Sequence, residues 1–425
     1  MFSKLPATVL SGYLGAGKTT LLSYVLSNQQ GMRVAVIVND MSELNIDVSL
    51  VRSNTTSPNH ENDALVELSN GCICCTLRDD LLEEISKLAL AGRFDYLLIE
   101  ATGISEPMPV AETFVFRDEY GAGLSNLSRL DSMVSVVDAG AFMDDFQSFD
   151  SLAQRGEEMD ETDHRMLSQL LAEQVEFANV LVVNKTDLVS DEQLADLQGV
   201  LKQLNPEAVQ ITSEYGEVDL SHIFDTQLFD EVKAAATPGW RSDWVSKESE
   251  ADEYGFGSLV YNSRRPFHPQ RLHQLMWSEH LSEIARIKGF VWLASRHDMA
   301  GCWSLAGRIH SMPAFAPWYM ALDHDLWPWE DRPMIDRLKS LWQEPYGDRR
   351  QEIVLIGRHL NEDHIRKLLD EALLTDDEFE AGPESWANFA DPLPSWQPET
   401  PKFEFDEEAD RLHREEEMSE WQEFR

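Results

Sequence analysis

Eight residues near the N-terminus, Gly12-Tyr13-Leu14-Gly15-Ala16-Gly17-Lys18-Thr19, constrain this chain more than any other stretch of it. They follow an apolar run ending at Ser11 and precede Leu21, Leu22, Val25 and Leu26, which recur at helical spacing. In that setting the pattern is a phosphate-binding loop. Its glycines let successive backbone N–H groups turn inward, and the following helix N-terminus adds partial positive charge. Lys18 then neutralises the β and γ phosphates, and the Thr19 hydroxyl ligates Mg²⁺. A chance glycine-rich turn is the alternative, but it does not require a strand before it and a helix after it. Gly12, Gly15, Ala16, Gly17, Lys18, Thr19 and Thr20 are the candidate nucleotide contacts.

Such a loop demands an α/β fold, and the rest of the N-terminal half complies. Apolar runs at Ala7 to Ser11, Arg33 to Val38, Asp95 to Ile99, Met133 to Val137 and Val180 to Val183 each end at a polar or glycine residue, with Leu65 to Leu68 as a further candidate strand. Amphipathic stretches separate them, so the expected fold is a mostly parallel P-loop NTPase sheet with helices on both faces. At 425 residues the chain exceeds one ordinary core. The pattern weakens around Pro238 and Gly239, which puts a P-loop domain at 1–225 and a linker at 226–253. A smaller α+β C-terminal domain is expected at 254–375, with strands at Phe256 to Tyr261, Gly289 to Ala294, Gly301 to Leu305 and Gln351 to Ile356 and helices at His268 to Ser278 and Asn361 to Leu369. Residues 376–425, rich in acids and punctuated by proline, read as a partly disordered tail.

Asn184-Lys185-Thr186-Asp187 follows Val180 to Val183 and offers an aspartate that can accept two hydrogen bonds from N1–H and the exocyclic amine of guanine. Adenine has neither donor there, so an unpaired, desolvated carboxylate discriminates against ATP. Asn184, Lys185 and Asp187 are the candidate base contacts, although short polar residues after a strand also serve as plain helix caps. Glu100-Ala101-Thr102-Gly103 follows another strand, where P-loop proteins place an acid that holds Mg²⁺. Glu100 is that acid, and the Gly103 backbone N–H could meet the γ-phosphate and sense its hydrolysis. Lys18, Glu100 and Gly103 are therefore the catalytic candidates. Asp138, after Met133 to Val137, is at least as well explained as a cap.

Cys72, Cys74 and Cys75 put three of the chain's four thiols within four residues, too tight for a disulfide framework. Zn²⁺ prefers four tetrahedral ligands of sulfur, nitrogen or oxygen type, and thiolate richness excludes Mg²⁺ and Ca²⁺ as the natural occupant. Buried structural thiols or a redox pair are the competing readings. Cys302 beside Trp303 fits a core position, and His297 and His310 near it fit chance proximity among twelve histidines. A formal net charge of −41 argues against nucleic acid or anionic lipid as partner, and no apolar run reaches the length of a membrane span. A cytoplasmic protein is the expectation.

Taken together, Ser11 to Thr20, Asn70-Gly71-Cys72-Ile73-Cys74-Cys75, Glu100-Ala101-Thr102-Gly103 and Asn184-Lys185-Thr186-Asp187 resemble the motifs of the CobW-type P-loop metallochaperone GTPases. The resemblance continues through Pro266-Phe267-His268-Pro269 and Lys288 to Arg296, and the loop Asn39 to Asp47 is most similar to the zinc-responsive subgroup. It implies GTP as substrate, Mg²⁺ as cofactor and Zn²⁺ as cargo. It also implies slow hydrolysis and delivery to client metalloproteins, with docking expected on the C-terminal domain. By the same resemblance Cys72, Cys74 and Cys75 hold the metal, with Glu43 or Asp40 as oxygen ligands. One departure is a linker without histidine, where many relatives carry a histidine-rich run. A regulatory GTPase with structural cysteines, a P-loop kinase, and cobalt or iron as cargo are the alternatives; a homodimer is compatible with all of them.

Overall fold

The computed structural model describes residues 4–28, 31–39, 64–68, 78–115, 123–157, 163, 165–230, 256–328, 332–358 and 360–396. Its first half is a seven-stranded sheet in the order β3-β2-β4-β1-β5-β6-β7. The strands are β1 (Leu5–Ser11), β2 (Val34–Asn39), β3 (Ala64–Leu68), β4 (Tyr96–Glu100), β5 (Ser128–Asp138), β6 (Val180–Asn184) and β7 (Val209–Thr212). Every pairing is parallel, so all seven carboxyl ends share one edge. The helices are α1 (Lys18–Ser27), α2 (Arg78–Ala91), α3 (Pro107–Val115), α4 (Phe142–Phe146), α5 (Leu152–Arg155), α6 (Leu167–Glu176) and α7 (Asp191–Leu204).

Alternation along the strands decides what each face buries. Ala7 and Val9 of β1 join Leu81 and Ile85 of α2 and Val110 and Phe114 of α3. Leu10 faces the other way, into Leu21, Leu22 and Val25 of α1. A third cluster packs α6 and α7 on Leu181 and Val183 of β6. Helices thus cover both faces, as expected. Two features exceed the sequence reading. β5 begins at Ser128, five residues before its apolar run, because Asp131 is fully buried yet accepts bonds from Tyr96 Oη and Thr226 N, each at 2.7 Å. The four-residue β7 is exposed at both ends and partly buried at its two central residues, too brief a pattern to stand out.

The second half is an antiparallel sheet: β8 (Phe256–Ser263), β9 (Ile284–Trp292), β10 (Met299–Ala306), β11 (Ile309–Ser311), β12 (Ala314–Pro317) and β13 (Gln351–Arg358). The order is β11-β10-β9-β13-β8, with β12 also on β10. α8 (Pro269–Met276) and α10 (Glu362–Ala372) cover one face with Leu272, Leu275, Ile365 and Leu369, while α9 (Arg332–Leu341) follows the tryptophan-rich loops. This matches the smaller α+β domain read from sequence.

The boundary at 375 needs correction. α11 (Asp376–Glu380) and α12 (Pro383–Trp386) continue the second domain, and the chain is described to Trp396. Trp386 has no exposed surface and packs in one cluster with Trp292 and Trp318. Asp391 holds Arg296 at 2.8 Å. Acidic composition misled here, because a few large apolar residues suffice to dock the segment. The linker from residue 231 and the tail from residue 397 lie outside the described residues.

Candidate functional site

The site sits at the carboxyl ends of β1, β4 and β6. β1 occupies the centre of the sheet between β4 and β5, and its loop runs directly into α1. Crevices beyond the strand ends at such a position receive ligands in open α/β sheets. Gly17 immediately precedes α1 in the left-handed region at φ 106°, and a Cβ there would lie 2.3 Å from Asn184 Nδ2. No other residue satisfies both demands. Gly12, Gly15, Ala16 and Thr20 lie in the same loop and first helical turn. Lys18 is 8% exposed, with its Nζ donating to Tyr13 O at 3.1 Å across the loop.

β4 delivers Glu100 to this loop. Thr19 Oγ1 donates to Glu100 Oε1 at 3.2 Å, so a hydroxyl and a carboxylate oxygen converge beside the phosphate cradle. That all-oxygen pair fits a hard cation of the Mg²⁺ type, which takes one or two protein oxygens and completes its shell with phosphate and water. Gly103 closes against the phosphate loop: a Cβ on it would stand 2.7 Å from Leu14 N. The loop after Glu100 is therefore in direct contact with the loop after β1.

β6 brings the Asn184-Lys185-Thr186-Asp187 element alongside. Asn184 Nδ2 donates to Ala16 O at 3.0 Å, and Asn184 Oδ1 accepts from Gly216 N at 3.1 Å. This asparagine thus braces the phosphate loop rather than pointing into solvent. Lys185 adopts a left-handed backbone at φ 61°, costly for a residue with a side chain, and its Nζ pairs with Asp138 Oδ2 at 2.5 Å. Asp187 is exposed at the start of a short 3₁₀ turn, available to a base. Asp138 also accepts from Gly140 N and Ala141 N, so it caps a turn and anchors Lys185.

Sequence reasoning missed three contributors. The turn from Ser213 to Gly216, after β7, backs the base element: Ser213 O accepts from Thr186 N and Thr186 Oγ1. Gln174, 2% exposed on α6, donates to Gly103 O at 3.0 Å and Ser105 O at 3.3 Å. Arg165 donates to Ile104 O at 3.0 Å. A glutamine on an amphipathic helix carries no motif, so only the fold reveals it.

Cys72, Cys74, Cys75, Asp40 and Glu43 lie outside the described residues. Among the described residues no group of three or more His, Cys, Asp or Glu is placed to hold a metal. His297 and His310 are ring partners of tryptophan: their Nδ1 atoms accept from Trp292 Nε1 and Trp303 Nε1, and burial drives both imidazoles down to about 4. Cys302 is partly buried on β10, where burial pushes its thiol up. No described helix is long and apolar enough to cross a membrane.

A P-loop fold with paired hydroxyl and carboxylate beside the phosphate cradle, and an Asn-Lys-x-Asp element braced on the same loop, defines the class: a nucleotide-binding protein of the guanine-reading type. Residues 6–212 match the CobW/HypB/UreG nucleotide-binding domain, and residues 256–373 match the cobalamin synthesis protein cobW C-terminal domain. The chain belongs to the CobW family. It is 43% identical over 403 residues to zinc-regulated GTPase metalloprotein activator 1 of Dictyostelium discoideum, covering 92% of this chain and 84% of that protein. It is 34% identical to the zinc chaperone CobW of a Sinorhizobium species over 68% of this chain and 81% of the relative. With the zinc chaperone YjiA of Escherichia coli K12 the identity is 28%, over 68% and 82%.

Proposed function

We propose that this chain is a GTP-hydrolysing metallochaperone that takes Zn²⁺ through Cys72, Cys74 and Cys75 and passes it to client metalloproteins. The observation that carries the reading is the 43% identity, across 92% of the chain, to a protein named a zinc-regulated GTPase metalloprotein activator. The topology supports it. The cysteine segment joins the carboxyl end of β3 to α2, and so leaves the same sheet edge as the loops after β1, β2 and β4. Asp40 and Glu43 follow β2, the neighbour of β3, and supply oxygen ligands to a sulfur-rich site.

Within this reading each nucleotide contact has a task. Backbone N–H groups from Gly12 to Thr20 cradle the phosphates, and Lys18 neutralises their charge. Thr19 and Glu100 would hold Mg²⁺, which when bound would offset negative charge on the nucleotide's phosphates. Asp187 accepts from guanine, Asn184 keeps the base element in register with the phosphate loop, and Lys185 lies along the base. The Gly103 N–H meets the γ-phosphate, so loss of that phosphate releases the loop. On the second domain, an apolar groove of about 370 Å³ lined by Phe315, Trp318, Leu326, Met334, Leu338 and Leu341 is the face assigned to the client.

Zinc content of protein purified anaerobically tests the ligand set. The wild-type chain should carry one tightly held Zn²⁺, and Cys72→Ser/Cys74→Ser/Cys75→Ser should carry none while retaining GTP binding. Undiminished zinc in the triple variant would eliminate the thiolate site.

A further inference from the structure

One helix touches both the nucleotide loop and the second domain. Gln174 of α6 holds the carbonyls of Gly103 and Ser105, and Arg165, just before the helix, holds the carbonyl between them and pairs with Glu106 at 3.3 Å. Arg165 is itself fixed by Asp163 at 2.8 Å. Three successive carbonyls of the loop after Glu100 are thus fastened to a single segment. Two residues past Gln174, Glu176 accepts from Arg286 Nε at 2.5 Å, Arg286 Nη2 at 3.0 Å and Lys288 Nζ at 3.1 Å, all from β9 of the second domain. At 3.6 residues per turn, positions two apart lie roughly 200° apart around a helix, so the two side chains leave α6 on opposite sides. Between the domains lies a cleft of about 360 Å³ with Glu106 and Pro107 on one wall, Lys288 and Cys302 on the other and Glu173 of α6 between them.

We propose that α6 couples the loop after Glu100 to the second domain, with Gln174 as the positioning residue that sets the loop and Glu176 as its anchor on β9. The inference rests on the reading that residues 100–103 respond to the nucleotide. When Gly103 turns toward a γ-phosphate, the carbonyls of 103 and 105 move, and Gln174, buried and doubly bonded, carries that movement into α6. The helix end bearing Glu176 then shifts Arg286 and Lys288, and the second domain with them. By linkage the reverse holds: what binds the second domain alters the loop's preference for GTP over GDP.

The chain supplies its own reporter, since all twelve tryptophans lie beyond residue 239 and none lies in the nucleotide domain. Titrating the full-length protein with a non-hydrolysable GTP analogue and with GDP, calorimetry gives affinity and tryptophan emission gives the second domain's response. The wild-type protein should change emission with the analogue but not with GDP. Gln174→Ala should abolish that change, and Lys288→Met, which removes one of the three bonds to Glu176, should weaken it. Each should also shift the analogue-to-GDP affinity ratio by at least about fivefold, the lower end for coupled sites. Lys288 contributes one bond to Glu176 at the partly exposed edge of the cleft, so this variant keeps the Arg286 pair and folds. Emission that ignores the analogue although calorimetry shows it bound overturns the coupling. So does a ratio that moves in Gln174→Ala alone, or in neither variant. If Glu100→Gln leaves hydrolysis and analogue affinity unchanged, the loop reading itself has failed, a result distinct from failure of the coupling.

Discussion

Glu176→Ala should cost this protein more stability than any other single carboxylate substitution at the domain interface. Glu176 is 9% exposed and Arg286 is 4% exposed, so the pair sits out of water. Burial alone would raise the Glu176 carboxyl, but Arg286 and Lys288 outweigh it and hold it below its ordinary range. Removing the carboxylate strips both contacts from Arg286 Nε and Nη2. Only Nη1 keeps partners, Ser304 Oγ at 2.9 Å and Leu305 O at 3.0 Å. A buried cation left with its charge uncompensated costs about 3–5 kcal/mol. With a urea slope near ~3 kcal/mol per M, the unfolding midpoint followed by tryptophan emission should fall by roughly 1–2 M. Replacing Glu176, Arg286 and Lys288 together with apolar residues of similar volume should recover most of the loss, because the desolvation cost disappears with the charges. A loss below about 1 kcal/mol in Glu176→Ala, the range of an exposed pair, would refute the picture of a dry ionic anchor.

Three further outcomes follow from the site and its surroundings. Asp187→Asn should lower the preference for GTP over ATP by about a hundredfold, measured by competition binding, because the amide presents a donor where guanine also donates. Asn184→Ala should weaken GTP and GDP alike by about tenfold, since it releases Ala16 O and Gly216 N from one brace without touching the γ-phosphate loop. Burial, with Glu106 adding to it, raises the Glu173 carboxyl from 4.5 to about 7, so the folded state keeps a proton that the unfolded chain releases. That contribution is full below pH 4.5 and is lost as pH climbs through 7. Stability should therefore decline by about 2 kcal/mol across this window, partial exposure included, and Glu173→Gln should flatten the decline in urea titrations at each pH.

The parallel sheet was legible because its strands are continuous apolar runs ending at ligand-type residues, and the phosphate loop fixed where β1 and α1 meet. The convergence of Asn184, Lys18, Thr19 and Glu100 at one sheet edge was legible for the same reason, since each lies at short spacing after a strand. What escaped has a common physical cause. Gln174, Arg165 and Glu176 act through tertiary contact, and nothing in a local window distinguishes them from other polar residues on an amphipathic helix. β7 was too short for a periodic signal. Residues 376–396 looked like a solvated tail because acids and prolines punctuate them, whereas Trp386 and Leu393 are buried in the core and Asp391 pairs with Arg296. Lys185 was anticipated as a base contact, but its left-handed backbone and its pairing with Asp138 required the β5–β6 register to appear.

Zinc affinity as a function of nucleotide tests the central claim most directly. With a fluorescent chelator competing for Zn²⁺ under anaerobic conditions, the protein holding a non-hydrolysable GTP analogue should bind Zn²⁺ at least about fivefold more tightly than the protein holding GDP. Equal zinc affinity in the two nucleotide states would contradict the account, leaving a GTPase whose metal site and nucleotide site do not communicate.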